Sequence, residues 1–221
     1  MATTEAPSPA STGRPGPKQA RSRATRRRIL DAAVGCLVER GYAGSSTTAI
    51  CQRAGVSQGA LFKHFVSKID LLGTATRHLF AGMIEDYRRA FGRLVGQGPG
   101  DRLGAAIGLL RRTFAEPRLQ AAFELDVAAR TNADLRAAIE PVLRAHRDDL
   151  RAVARELFPA EAARSARFDA VVDVVLDAMQ GAALGSLVLP DPLHEGPALD
   201  ALVRWVGSEF DALGEETRCR L

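Results

Sequence analysis

Apolar positions recur every three or four residues along most of this chain, the period of helices that bury one face. The first such stretch runs from Gln19 to Arg40, where Ile29, Leu30, Ala33, Leu37 and Val38 share a face and Gly41 supplies the stop. Residues 1–18 are mostly Pro, Ser, Thr, Ala and Gly with almost nothing to bury, which predicts a disordered tail. Two short helices follow, Thr47 to Ala54 and Gln58 to Phe65. Ser46 or Thr47 caps the first and Ser57 the second, with Gly55 breaking the chain between them. Leu61 and Phe65 form the inner edge of the second, leaving Gln58, Gly59, Phe62 and Lys63 outside. Ser67 caps a long helix reaching towards Val95 and ending at the Gly96-Gln97-Gly98-Pro99-Gly100 linker. Further helices are predicted at about Asp101 to Phe114, Pro117 to Arg130, Ala133 to Phe158, Ala160 to Val188 and Pro197 to Leu213. Pro141 is expected to kink or restart the helix it occupies, and Pro190-Asp191-Pro192 separates the last two. The organisation is a tail (1–18), a three-helix head (19–67) and a larger helical body (68–221).

Composition fits an all-α class. Aromatic residues make up only 5% and alternating β-branched runs are few, which excludes a β-sandwich or barrel. Cys36, Cys51 and Cys219 are far apart and form no CxxC pair, so neither a disulfide framework nor a zinc site is suggested and a reducing, cytoplasmic setting follows. The first residues contain no apolar signal segment, and the most apolar stretch, Val171 to Leu189, carries Asp173 and Asp177, which argues against secretion and against a membrane span. His64, His78, His146 and His194 are widely separated, so no metal and no cofactor are implied.

Charge changes the picture. Residues 1–68 hold 11 Lys or Arg against 3 Asp or Glu, whereas residues 69–221 hold 19 against 23. A basic head on an acidic body suggests a polyanionic partner for the head, although a basic tail that is merely solvated would give the same imbalance. Two short helices joined through Gly55-Val56, the second bearing outward polar residues, outline a helix-turn-helix; a plain helical hairpin shares that outline.

The residues from Arg28 to Leu72 resemble the amino-terminal DNA-binding domain of the TetR/AcrR family of transcriptional regulators. The resemblance is carried by Ala32-Ala33 and Leu37, Gly41-Tyr42, Thr47-Thr48 with Ile50, Ala54-Gly55-Val56-Ser57 with Gly59, then Leu61, His64-Phe65, Lys68 and Leu71-Leu72. It implies that the amino end of the second short helix enters the major groove, where Gln58, Gly59 and Ala60 lie. Gln58 is suited to adenine, Ala60 to a thymine methyl, and Gly59 to close backbone approach. Thr47, Thr48, Ser45, Lys63, His64 and Lys68 are assigned to phosphates. Position 62 is Phe where the family usually has Tyr, so a hydroxyl is missing there and Phe62 is left to pack against sugar. Cys51 replaces a usual Ala and reads as a small buried thiol.

The resemblance further implies a homodimer on double-stranded operator DNA, with a small-molecule effector held among the middle helices. Phe80, Met83, Ile84, Leu110, Phe114, Phe123 and His146 are the candidate lining, chosen as bulky or polar members of inward-looking stripes. Small residues at Ala170, Val174, Ala178 and Ala182, with Gly181 and Gly185 alongside, and the stripe Leu199, Leu202, Val206, Phe210 and Leu213 are the candidate dimer surfaces. The implied action is repression released by effector, through a population shift worth about 1–3 kcal/mol. DNA binding regulated without a small molecule is the alternative. One enzyme motif is present, since Gly55-Val56-Ser57-Gln58-Gly59 matches the hydrolase G-x-S-x-G elbow, but a helical segment and not a strand precedes it.

Overall fold

The computed structural model describes residues 16–93, 99–164, 167–188 and 196–218, and among them every regular element is a helix. In chain order these are α1 (Pro17–Gly44), α2 (Thr47–Ala54), α3 (Gln58–Phe62), α4 (Lys68–Gly92), α5 (Pro99–Phe114), α6 (Pro117–Ala129), α7 (Ala133–Leu157), α8 (Pro159–Arg164), α9 (Phe168–Ser186) and α10 (Pro197–Arg218). Most of the expected tail, the linker residues Gly96 to Gly98, Pro190-Asp191-Pro192, His194 and Cys219 lie outside the described residues.

Short-range chemistry fixes the helix ends. The Ser46, Ser57 and Ser67 hydroxyls accept from the backbone N–H of Ala49, Ala60 and Asp70, each at 3.1 Å. Asp70 returns the favour, accepting the Val66 N–H at 3.0 Å, so the start of α4 is clamped from both sides. Gly55 closes α2 in the left-handed region at φ 62°. Gly41, at φ 64°, interrupts α1 where a stop is expected, and the last turn resumes beyond it. At its other end α1 begins at Pro17, suited to a first helical position, so the residues from Pro17 to Arg28 are an exposed basic helix and the expected tail gives way two residues early.

Three apolar clusters form the interior. Ile29, Leu30, Ile50, Leu61, Phe65, Leu71 and Ala75 fill the head. Leu37, Leu72, Ala121, Leu125, Leu135 and Ile139 form a junction between α1, α4, α6 and α7. The body core takes Phe80, Met83, Ile84, Tyr87 and Phe91 from α4 together with Phe158 and residues of α5, α6, α7, α9 and α10. Helix α4 thus contributes to all three clusters. Gly73 lets it approach α7, since a Cβ there would sit 3.2 Å from the Ala138 carbonyl oxygen.

A charge ladder joins α7 to α9. Arg155, Arg151 and Arg147, four residues apart, pair respectively with Asp169, Asp173 and Asp177, also four apart, in antiparallel order. The central pair is the most enclosed, Arg151 bonding both Asp173 oxygens at 3.0 and 2.7 Å.

Two expectations are corrected. Pro141 does not restart a helix, because α7 carries it in its interior on the exposed surface, where its missing N–H costs one intrahelical bond and no neighbouring element is displaced. The single helix expected from Ala160 to Val188 is divided into α8 and α9. Phe158 and Phe168 flank the division and both pack on the Phe210 ring, at 5.4 and 5.6 Å between centroids, which requires the chain to turn back between them.

Gly73 and Gly82 of α4 should respond oppositely to a methyl group. Gly82→Ala meets no neighbouring element and should gain about 0.5–1 kcal/mol, whereas Gly73→Ala must push α7 away and should gain nothing or lose stability, as read from denaturant midpoints.

Candidate nucleic-acid interface and ligand cavity

The turn between α2 and α3 presents a polar row on one surface. Thr48, Gln58, Gly59, Phe62 and Lys63 are exposed, while Thr47, Ala60 and His64 are half-buried at its margins. The Gln58 amide Nε2 donates to the Thr48 hydroxyl at 3.0 Å, so the first residue of α3 is steadied by α2. That bond leaves one amide hydrogen and the carbonyl oxygen of Gln58, the pair an adenine edge requires. Gly59 has open space where a Cβ would go, with only the Ser57 hydroxyl at 3.9 Å, so nothing inside the chain demands glycine there. Phe62 is 48% exposed, an unusual position for an aromatic ring with no polar atom.

Two of the assigned residues lie apart from this row. Ser45 is fully buried and its hydroxyl donates to the Gly41 carbonyl at 2.7 Å, which ties the α1–α2 corner. Lys68 opens α4 with its ammonium 4.8 Å from the centre of the Tyr42 ring. The Tyr42 N–H in turn donates to Glu124 of α6 at 2.9 Å, so Lys68 belongs to the seam between head and body. Cys51 is buried, as is Cys36, and burial pushes both thiols up, away from the reactive thiolate. The sequence reading overlooked Arg53, whose guanidinium covers Gly35 and pairs with Glu39 at 2.6 Å to fasten α2 onto α1. It also overlooked Arg26, which lies 5.0 Å over the Phe65 ring.

In the body, four of the seven proposed lining residues converge. Phe80, Phe114, Phe123 and His146 enclose a cavity of about 250 Å³ together with Leu143, Leu150, Asp126 and Gln180. Met83 lines a separate cavity with Tyr87 and Thr113, Leu110 borders a third beside Phe158 and Phe168, and Ile84 is packed in the body core. His146 stacks on Phe80 at 4.0 Å between ring centres and 7° between planes. His146 Nδ1 and Asp126 Oδ1 are buried without a hydrogen-bond partner in the protein. Asp126 went unnoticed although its spacing betrayed it: with Leu119 and Phe123 it repeats at helical intervals along an otherwise apolar stripe.

The dimer surfaces divide. Ala170, Val174, Ala178, Gly181 and Gly185 are exposed along α9, whereas Val206 is buried and Phe210 stacks on Phe168 inside the chain. Leu199, Leu202 and Trp205 of α10 instead border an open cleft of about 640 Å³ with Ala178, Gly181 and Ala182. The Leu213 side chain lies outside the described residues.

His146 and Asp126, which both line this cavity, should act oppositely on acid stability. Burial lowers His146 from 6.5 to about 4 and raises Asp126 from 3.8 to about 6. Between pH 4 and 6.5 the unfolded chain binds a proton on His146 that the folded chain refuses, so this group's contribution falls as pH falls. Between 3.8 and 6 the folded chain holds a proton on Asp126 that the unfolded one releases, so acid favours folding through this group. In thermal melts across this range, His146→Phe should therefore make the protein less acid-sensitive than its parent and Asp126→Asn more so.

The family model for bacterial regulatory proteins of the tetR family matches residues 29–75, which span the row and its supporting helices. Over 191 residues the chain is 34% identical to Rv2912c of Mycobacterium tuberculosis, an uncharacterised HTH-type transcriptional regulator, a match covering 84% of this chain and 96% of that one. It is 36% identical over 92 residues to the transcriptional repressor KstR of Mycolicibacterium smegmatis, covering 42% of this chain and 44% of KstR. Among solved structures it resembles FadR of Bacillus subtilis in complex with stearoyl-CoA, with a TM-score of 0.56 and 19% identity over 85% of this chain and 96% of that one. The full-length likeness to an HTH-type regulator, the matched family model and two serine-capped helices about a left-handed glycine agree: the chain belongs to the TetR family of bacterial transcriptional regulators.

Proposed function

We propose that this DNA-binding regulator is a repressor that holds a palindromic operator as a homodimer and releases it when a small molecule enters the body. The observation that carries the reading is the exposed row on α2 and α3, with Gln58 held by Thr48 at 3.0 Å and ready to pair with a base edge. Lys63 and the two threonines flank Gln58 and supply phosphate contacts, while Phe62 covers sugar. The exposed arginines from Arg21 to Arg28 on α1 add a charge that does not depend on base sequence. KstR, a relative over the amino-terminal part, is a repressor, and FadR, a protein of the same fold, is solved with a bound ligand; both support the regulatory half of the reading.

Dimerisation uses the exposed small-residue stripe of α9 with Leu199, Leu202 and Trp205 of α10, since these leave an apolar cleft open in the single chain. Two head domains related by a two-fold axis then face successive major grooves.

Selection of bound duplexes from random DNA tests the central claim, and a two-fold symmetric consensus is the expected result. On that site Gln58→Ala should cost about 1–3 kcal/mol and relax preference at one or two base pairs of each half-site. Thr48→Val should relax the same base pairs by less, because it removes the support and leaves the reader. Lys63→Ala should weaken all sequences alike and reduce the salt slope by about one. In sedimentation the protein should run at twice 23.6 kDa, and Ala178→Glu should return it to a monomer.

A further inference from the structure

The cavity between α4, α5, α6, α7 and α9 has the chemistry of one kind of ligand. Its walls are the rings of Phe80, Phe114 and Phe123, and two polar atoms without protein partners, Asp126 Oδ1 and His146 Nδ1, are buried at it. A buried polar atom left without a partner is costly, so each favours an occupant that completes its bonding. Arg147 is the cation at the rim, and its guanidinium is already matched by two carboxylates, Asp177 and, at 3.8 Å, Asp173. What remains uncompensated is the carboxylate of Asp126.

An anionic ligand would bring a second carboxylate towards Asp126 in a poorly solvated space, which is repulsive. A purely apolar ligand would fill the volume and leave both polar atoms unmet. A protonated amine satisfies Asp126 with a charge-assisted hydrogen bond, and a further N–H is available to His146. The ring stack of Phe80 and His146 offers a flat wall for an aromatic body. At about 250 Å³ the cavity lies below the usual range for drug-sized ligands, and a molecule the size of stearoyl-CoA does not fit it. We propose that this cavity binds a small aromatic amine, its cationic nitrogen on Asp126 and its ring against the phenylalanine wall. The assignment rests on the reading of the body as an effector domain and names the effector's class.

Three probes of nearly equal shape separate the charges: phenethylamine, phenethyl alcohol and hydrocinnamate, each titrated calorimetrically into the full chain near neutral pH. The amine should bind at least about tenfold more tightly than the alcohol, and the carboxylate more weakly than either. Asp126→Asn should cost the amine about 10- to 100-fold and leave the alcohol within about threefold, which also shows that the variant is folded. Should Asp126→Asn not fold, Asp126→Glu, which displaces the carboxylate by one methylene, should weaken the amine selectively. Phe123→Ala should weaken amine and alcohol together. Absence of amine binding, equal affinity for the three probes, or a selective amine response in neither Asp126 variant overturns the proposal. Operator affinity is followed separately: an amine that binds through Asp126 without releasing DNA keeps the ligand class and overturns the effector reading.

Discussion

Helix α4 has to be a single rigid rod for the rest of the molecule to exist. Its 25 residues span about 37 Å, and the side chains buried along it serve the head, the junction and the body. Leu71 and Ala75 close the head, Leu72 enters the junction, and Phe80 to Phe91 line the body. Each large side chain buried along it stabilises by about 1.5–3 kcal/mol, and none could reach its cluster if the helix bent between them. The reciprocal bonds between Ser67 and Asp70 define where the rod begins. Phe80, a wall of the cavity, and Lys68, at the seam with the head, are therefore parts of one body.

Much of this was legible in the chain because the signals are local. Serine caps, a left-handed glycine and apolar positions at helical spacing involve residues within a turn or two of each other, and Ser46, Ser57, Gly55 and Leu61 behave as their spacing dictates, while Phe65 is buried as expected but lies beyond α3, which ends at Phe62. The misses have tertiary causes. Nothing between Arg164 and Phe168 resembles a helix breaker, and the division of α8 from α9 is set by the shared demand of Phe158 and Phe168 for the ring of Phe210. Pro141 has the chemistry of a breaker, yet α7 runs through it, held in place by its packing on α4, α6 and α9. Ser45 has the composition of a phosphate contact, and only the fold shows its hydroxyl turned into the corner at Gly41.

The cavity reads in the same way. Aromatic stripes predicted Phe80, Phe114, Phe123 and His146 together, but Met83, Leu110 and Ile84 obey the same periodicity and pack elsewhere, because an inward face is shared by core and cavity alike. What distinguishes the cavity is polar bookkeeping. Thr76, also buried, satisfies itself by donating to the Leu72 carbonyl at 2.9 Å, as Ser45 does to Gly41. Asp126 and His146 each keep an atom that no neighbour meets, so this is a place where folding stops short of completing its own hydrogen bonds.

The arginine ladder between α7 and α9 has a symmetry of its own. Because both rows repeat every four residues, sliding one helix along the other by a single turn re-forms two of the three pairs, now mismatched by one rung. Reversing one row would also leave three pairs, so the ladder holds the two helices side by side while dictating neither direction nor register. Direction and register fall to packing in the body core, which Leu150 and Val153 of α7 share with Val175, Leu176 and Met179 of α9. Charge thus sets only that the two helices lie side by side, and electrostatics guards neither their direction nor their translation along the axis.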